Sequence, residues 1–147
     1  MAESLWSIAR SPLIAGGDLP KNDAFTLSLL TNDEVIAVNQ HSLGNRQLYR
    51  RDGKVVWVAD VPGSSDKYVA LFNIGEAPRR RGEAKRPIAT AASQPAAVSV
   101  SLQELAVNVP CSVRDLWAHM ELGEVSDNIS AVVPSHGAVL YRVHPMK

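Results

Sequence analysis

The sequence predicts a mainly β protein: an antiparallel β-sandwich of about seven or eight strands, preceded by a helix–strand–helix segment. Three observations carry this expectation. Hydrophobic residues recur with period two from about Ser42 to Ile74 and again from residue 97 onward. Turn-forming residues, including Asp52-Gly53, separate these short runs. Before residue 40 the apolar residues instead follow helical spacing around one short non-alternating run.

The elements follow in order. Leu5, Ile8 and Ala9 fall on one helical face. Ser11-Pro12 ends that helix, because proline pushes its predecessor out of the α region. Leu13 to Ala15 are apolar without alternation, as in a strand covered on both faces, so a strand is expected at residues 12–17, with Gly16-Gly17 as its turn. A helix then opens on Asn22 or Asp23 and carries Phe25, Leu27, Leu29 and Leu30. In "TNDE", Thr31 is the expected cap of a capping box with Glu34, starting a second short helix through Val38.

From Ser42 to Ile74 three strands are expected, the first two joined by a hairpin at Asp52-Gly53. Val55, Trp57, Ala59 and Val61 share one face of the second strand; Tyr68, Ala70, Phe72 and Ile74 share one face of the third. Val69 and Leu71 are apolar on the opposite face, which places the third strand inside its sheet. Residues 75–96 interrupt the pattern with proline, alanine and the cluster Arg79 to Arg81, and read as a solvated loop insertion. Strands resume at "AVSVSL", "CSVRDLW", "ISAVV" and "GAVLYRV". The period-two pattern is expected to turn Trp57, Tyr68, Phe72 and Val139 into one core.

Composition narrows the function classes. The 15 basic and 15 acidic residues cancel, so no general attraction to nucleic acid or to an anionic membrane is expected. No apolar run approaches the roughly 20 residues of a membrane span. The opening "MAESLWSIAR" carries Glu3 early and no long apolar stretch, unlike a signal peptide. The single cysteine, Cys111, cannot form an internal disulfide and reads as a small buried residue. His41, His119, His136 and His144 lack metal-ligand spacing, and neither a Ser-His-Asp order nor a phosphate-cradling glycine loop is present. Neither a metal nor another cofactor is therefore expected.

Taken together, "LWSIARSPLIAGGDL", "LSLLTNDEVIAVNQ", "VVWVADVPGSSDKYVALFNI", "VRDLW" and "VVPSHGAVLYRV" resemble, in order, the C-terminal part of the melibiase-type alpha-galactosidases of glycoside hydrolase family 27. The resemblance covers nearly the whole chain apart from residues 76–96. It implies that residues 1–40 are the terminal unit of a catalytic (β/α)8 barrel and residues 41–147 its C-terminal β-sandwich. The first seven barrel strands would then precede residue 1. Such enzymes are retaining hydrolases that release terminal α-linked galactose or a relative, and they include secreted and periplasmic members. Their two catalytic aspartates lie on barrel strands four and six, so no catalytic residue carries over to this chain. Ile14-Ala15 departs from the bulkier residue common before the glycines in that family.

Asp18 is the best candidate site residue, because it follows the C-terminal end of a barrel-type strand, where active sites of that fold lie. It would support the sugar pocket from behind; the alternative is a turn or helix-cap role. Asp60, Asp66 and Asp115 read as turn or edge residues. The expected partners are an α-galactoside-type carbohydrate in the intact enzyme, and either the missing barrel portion or a second copy through residues 5–38. The other reading is a stand-alone carbohydrate-binding module that stacks sugar on Trp57 or Trp117.

Overall fold

A computed structural model describes residues 2–14, 19–75 and 94–146. Three α-helices open the chain: α1 (Ala2–Ile8), α2 (Ala24–Leu30) and α3 (Asp33–His41). Eight strands follow: β1 (Leu43–Arg51), β2 (Lys54–Asp60), β3 (Lys67–Asn73), β4 (Ala96–Ser101), β5 (Cys111–Asp115), β6 (Met120–Val125), β7 (Asn128–Val133) and β8 (Gly137–Pro145). They form a six-stranded sheet in the order β1-β2-β3-β8-β5-β6 and a two-stranded sheet of β4 and β7. Every pairing is antiparallel. The mainly β class and the sandwich are as the sequence predicts. Among the described residues no helix is long and apolar enough to cross a membrane.

Local chemistry explains the joints. Asp52 and Gly53 both adopt positive φ, 50° and 69°, the conformation that a two-residue hairpin matched to strand twist requires. Asp23 caps α2, its carboxylate accepting from Thr26 N–H at 2.7 Å. The ends of the 75–96 interruption are pinned by buried Asn73 at the end of β3. Its Nδ2 donates to Gln94 O at 3.2 Å and Val133 O at 3.0 Å, while Oδ1 accepts from Gly75 N–H at 3.1 Å. Arg79 to Arg81 lie outside the described residues.

Four sequence expectations are corrected. Residues 11–14 form no strand, since no neighbouring strand among the described residues offers them a ladder; the rest of the expected 12–17 strand lies outside those residues. Helix α3 is capped by Asn32 rather than Thr31: Asn32 Oδ1 accepts from Val35 N–H at 3.0 Å. Thr31 instead closes α2, its hydroxyl donating to Leu27 O at 2.8 Å. Strand β6 is not announced by the sequence, because "MELGEV" does not keep a period-two pattern and is almost wholly exposed.

The fourth correction concerns the core, which is two cores on opposite faces of the large sheet. The inner one lies between the sheets and gathers Val56, Val58, Val69, Leu71, Val98, Val100, Val113, Ile129 and Val143, with Val139 packed against it. The outer one holds Val55, Ala59, Tyr68, Ala70, Phe72, Leu116 and Leu140, with Trp57 packed against it, and is shared with Ile8, Val35 and Val38 of the helices. Register decides the split. Trp57 pairs with Ala70 and Ala70 with Leu140, whereas Val139 pairs with Leu71. Cross-strand partners point to the same face, so Val139 cannot join Trp57.

Candidate functional site

The outer face of the large sheet, where α1 and α3 dock, is the most elaborated part of the molecule. On α3, Val35 and Val38 sit one helical turn apart and turn inward together. Ile8 of α1 fills the same layer and is fully buried. Polar contacts register the helices on the sheet. Asn32 Nδ2 donates to Leu116 O at 2.9 Å in a buried position. Trp117 Nε1 donates to Ser4 Oγ at 2.9 Å, and Asn45 Nδ2 donates to Ile8 O at 2.7 Å.

Glu34 forms the charged part of this junction. Arg114 grips both its oxygens, Nε to Oε2 and Nη2 to Oε1, each at 2.8 Å. His119 Nδ1 lies 2.5 Å from Oε1, and Arg114 Nη1 also reaches Glu121 at 3.1 Å. The Arg114 hydrogen bonds lead in holding the Glu34 carboxyl down to about 2, against the desolvation that opposes them. Glu34 in turn pushes the Arg114 guanidinium further up.

Of the carboxylates and histidines singled out in the sequence, Asp60, Asp66, Asp115, His119 and His144 have structural partners. Asp60 pairs with Lys67 at 2.6 Å. Asp66, only 2% exposed, accepts from Arg142 Nε at 2.6 Å and lies 2.7 Å from His144 Nδ1. Burial raises its carboxyl, but the hydrogen bonds of His144, Ser64 and Arg142 together outweigh that and hold it below the usual range. Asp115 Oδ1 accepts from the Trp117 and Ala118 amides and closes the turn after β5. His136 holds a left-handed turn position at φ 55°, and His41 ends α3. Trp57 and Trp117 are both half-buried. Asp18 lies outside the described residues. Among those residues no group of three or more His, Cys, Asp or Glu converges as a metal site.

Two further surfaces stand out. Helix α2 buries none of its residues, and Leu13, Ile14, Phe25, Leu27 and Leu30 are exposed, Ile14 at 84% and Phe25 at 69%. An open polar cleft lies between the β1–β2 hairpin and β4. There the Tyr49 hydroxyl donates to Ser99 O at 2.6 Å, and Arg51 stacks 4.5 Å from the Tyr49 ring centre. Glu104 beside it is already bonded to the Ser101 amide and hydroxyl, so these groups largely satisfy one another. Sequence reasoning missed Asn32, Arg114 and Trp117 as junction residues. Their partners lie 80 to 113 positions away, and no local pattern announces such contacts.

Residues 51–143 match the family model described as the alpha galactosidase C-terminal beta sandwich domain. The chain is 35% identical over 144 residues to an alpha-galactosidase of Coffea arabica, covering 97% of this chain and 34% of that protein. It is 31% identical to an alpha-galactosidase of Cyamopsis tetragonoloba, covering 97% of this chain and 31% of that protein. Among solved structures it resembles the GH27 β-L-arabinopyranosidase of Geobacillus stearothermophilus in complex with arabinose, with a TM-score of 0.84 and 37% identity. That likeness covers 99% of this chain and 30% of the solved one. The chain thus spans about a third of the length of these relatives.

Proposed function

The chain belongs to the alpha-galactosidase C-terminal β-sandwich family, and from that premise we propose that it works as the C-terminal part of a retaining glycoside hydrolase. The observation that carries this reading is the coverage: nearly all of this chain superposes on less than a third of a family 27 enzyme. In this reading residues 1–40 complete the catalytic barrel and residues 41–147 support it. Asp18 stands behind the sugar pocket, without touching the reacting bond. The substrate is a terminal α-linked galactoside or a related pyranoside; the 37% identity to the arabinopyranosidase supports including β-L-arabinopyranosides in that class.

The chemistry fits a support. Retaining hydrolysis needs two carboxylates about 5–5.5 Å apart, one to attack and one to donate and then accept a proton. Glu34, Asp60, Asp66, Glu104 and Asp115 are each engaged by structural partners. The exposed side chains Leu13, Ile14, Phe25, Leu27 and Leu30 are the surface on which the rest of the barrel would close. At about 25 cal/mol per Å² of apolar area, covering several of them together is worth several kcal/mol.

The purified chain is expected not to hydrolyse chromogenic α-galactosides or β-L-arabinopyranosides, and to bind a separately produced barrel fragment of a family enzyme. Phe25→Ser with Leu27→Ser should abolish that binding. Turnover by the chain alone, lost in Asp18→Asn, would overturn the reading. Light scattering reports whether a second copy occupies the same surface when no barrel is present. A stand-alone sugar-binding module would instead bind galactose without a barrel fragment and lose that affinity in Trp57→Ala or Trp117→Ala.

A further inference from the structure

Helix α1 ends in a geometry that glycine usually supplies. Ser11 N–H donates to Trp6 O at 2.8 Å and Arg10 N–H to Ser7 O at 3.1 Å, the pair of bonds that wraps a helix C-terminus around one left-handed residue. That residue is Arg10, at φ 54°. A side chain is strained there and glycine is not. Such strain persists where the surroundings over-determine it.

Arg10 is held in this way. Its Nε donates to Asn39 O at 3.2 Å, Nη1 to Ser42 O at 3.0 Å and Nη2 to Gln40 O at 3.3 Å. These carbonyls lie at the C-terminal end of α3, where intrahelical donors run out and a cation is favoured. Asn39 returns the exchange, its Nδ2 donating to Trp6 O at 3.1 Å and Ser11 O at 2.8 Å at the end of α1. Each helix therefore caps the other.

We propose that Arg10 and Asn39 are positioning residues, a reciprocal lock that makes α1 and α3 one body and fixes the direction in which residues 11–14 leave it. The purpose of that direction, to present Leu13 and Ile14 to a barrel, rests on the proposed function; the lock itself does not.

Arg10→Gly is the decisive variant, because it relieves the left-handed strain while removing the guanidinium. An arginine that was merely tolerated would leave this variant more stable, with α1 equally protected. The lock predicts the opposite. Amide hydrogen exchange read by mass spectrometry should show protection across residues 2–14 falling tenfold or more, with β3 and β8 unchanged. Arg10→Lys, which keeps a cation within reach of the same carbonyls, should restore part of it. Asn39→Asp keeps the size but removes both donated bonds, and should release the same amides, Ser11 above all. Full protection in either Arg10→Gly or Asn39→Asp, or a loss spread evenly over the chain, would overturn the proposal. Failure to bind a barrel fragment would leave this result standing and count only against the proposed function.

Discussion

Replacing Glu34 by glutamine removes the charge at the helix–sheet junction while keeping its size. The carboxylate takes two 2.8 Å bonds from Arg114 and a close contact from His119. Its fall from 4.5 to about 2 sets a ceiling of about 3.5 kcal/mol, at roughly 1.4 kcal/mol per pH unit. Glu34 is a quarter exposed, and Arg114 and His119 are more open still. Solvent screening therefore brings the expected loss to about 1–2 kcal/mol. A carboxyl held low in the folded state stabilises fully above its unfolded value and loses that contribution as pH falls through the folded one. Urea unfolding of the two proteins should thus differ by about 1–2 kcal/mol at pH 7 and converge between about pH 5 and 2, the interval from the unfolded to the folded value. A gap that survives at pH 2, or none at pH 7, would refute the reasoning. So would an undiminished effect of Glu34→Gln in an Arg114→Ala background, since the two changes share one contact.

Leu140→Ala opens space in the fully buried outer core and should cost about 2–4 kcal/mol, read as a lower urea midpoint at unchanged slope. Gly53→Ala puts a side chain at φ 69° in the hairpin and should cost about 1–2 kcal/mol, read as a lower thermal midpoint. Asp66→Asn weakens the bonds from Arg142 and His144 and should cost about 1–3 kcal/mol at pH 7 by urea unfolding. Because the Asp66 carboxyl also titrates low, that difference should shrink as pH falls below about 4.

Much of the fold is legible from parity alone. Val55, Ala59, Tyr68, Ala70 and Phe72 share the face their alternation assigns, and β3 lies inside its sheet. Parity fails between strands: Val139 lies on the other face of the sheet from Trp57, because register, not alternation, sets which face a strand shares with its neighbour. The cap of α3 is hidden from the sequence for a related reason. Thr31 and Asn32 are both good capping residues, and the choice between them follows from Leu116 O, a partner 84 positions away. Strand β6 carries no alternation because it is an exposed edge, with Gly123 at φ 105° beside an irregular register with β5. The junction was hidden too, since helical spacing announces Val35 and Val38 but not which sheet face receives them.

The Asn73 pin has an evolutionary consequence. By bonding Gly75 on one side and Gln94 and Val133 on the other, a single buried amide makes the chain's departure point and its return point the same place. Loop-closure entropy grows only as the logarithm of length, about 0.6 kcal/mol per doubling. Changes of length between these two points therefore carry little closure-entropy cost, so selection on that cost is weak. For the same reason, a peptide of moderate length grafted between Gly75 and Gln94 should add only about 0.6 kcal/mol of closure cost for each doubling of that length.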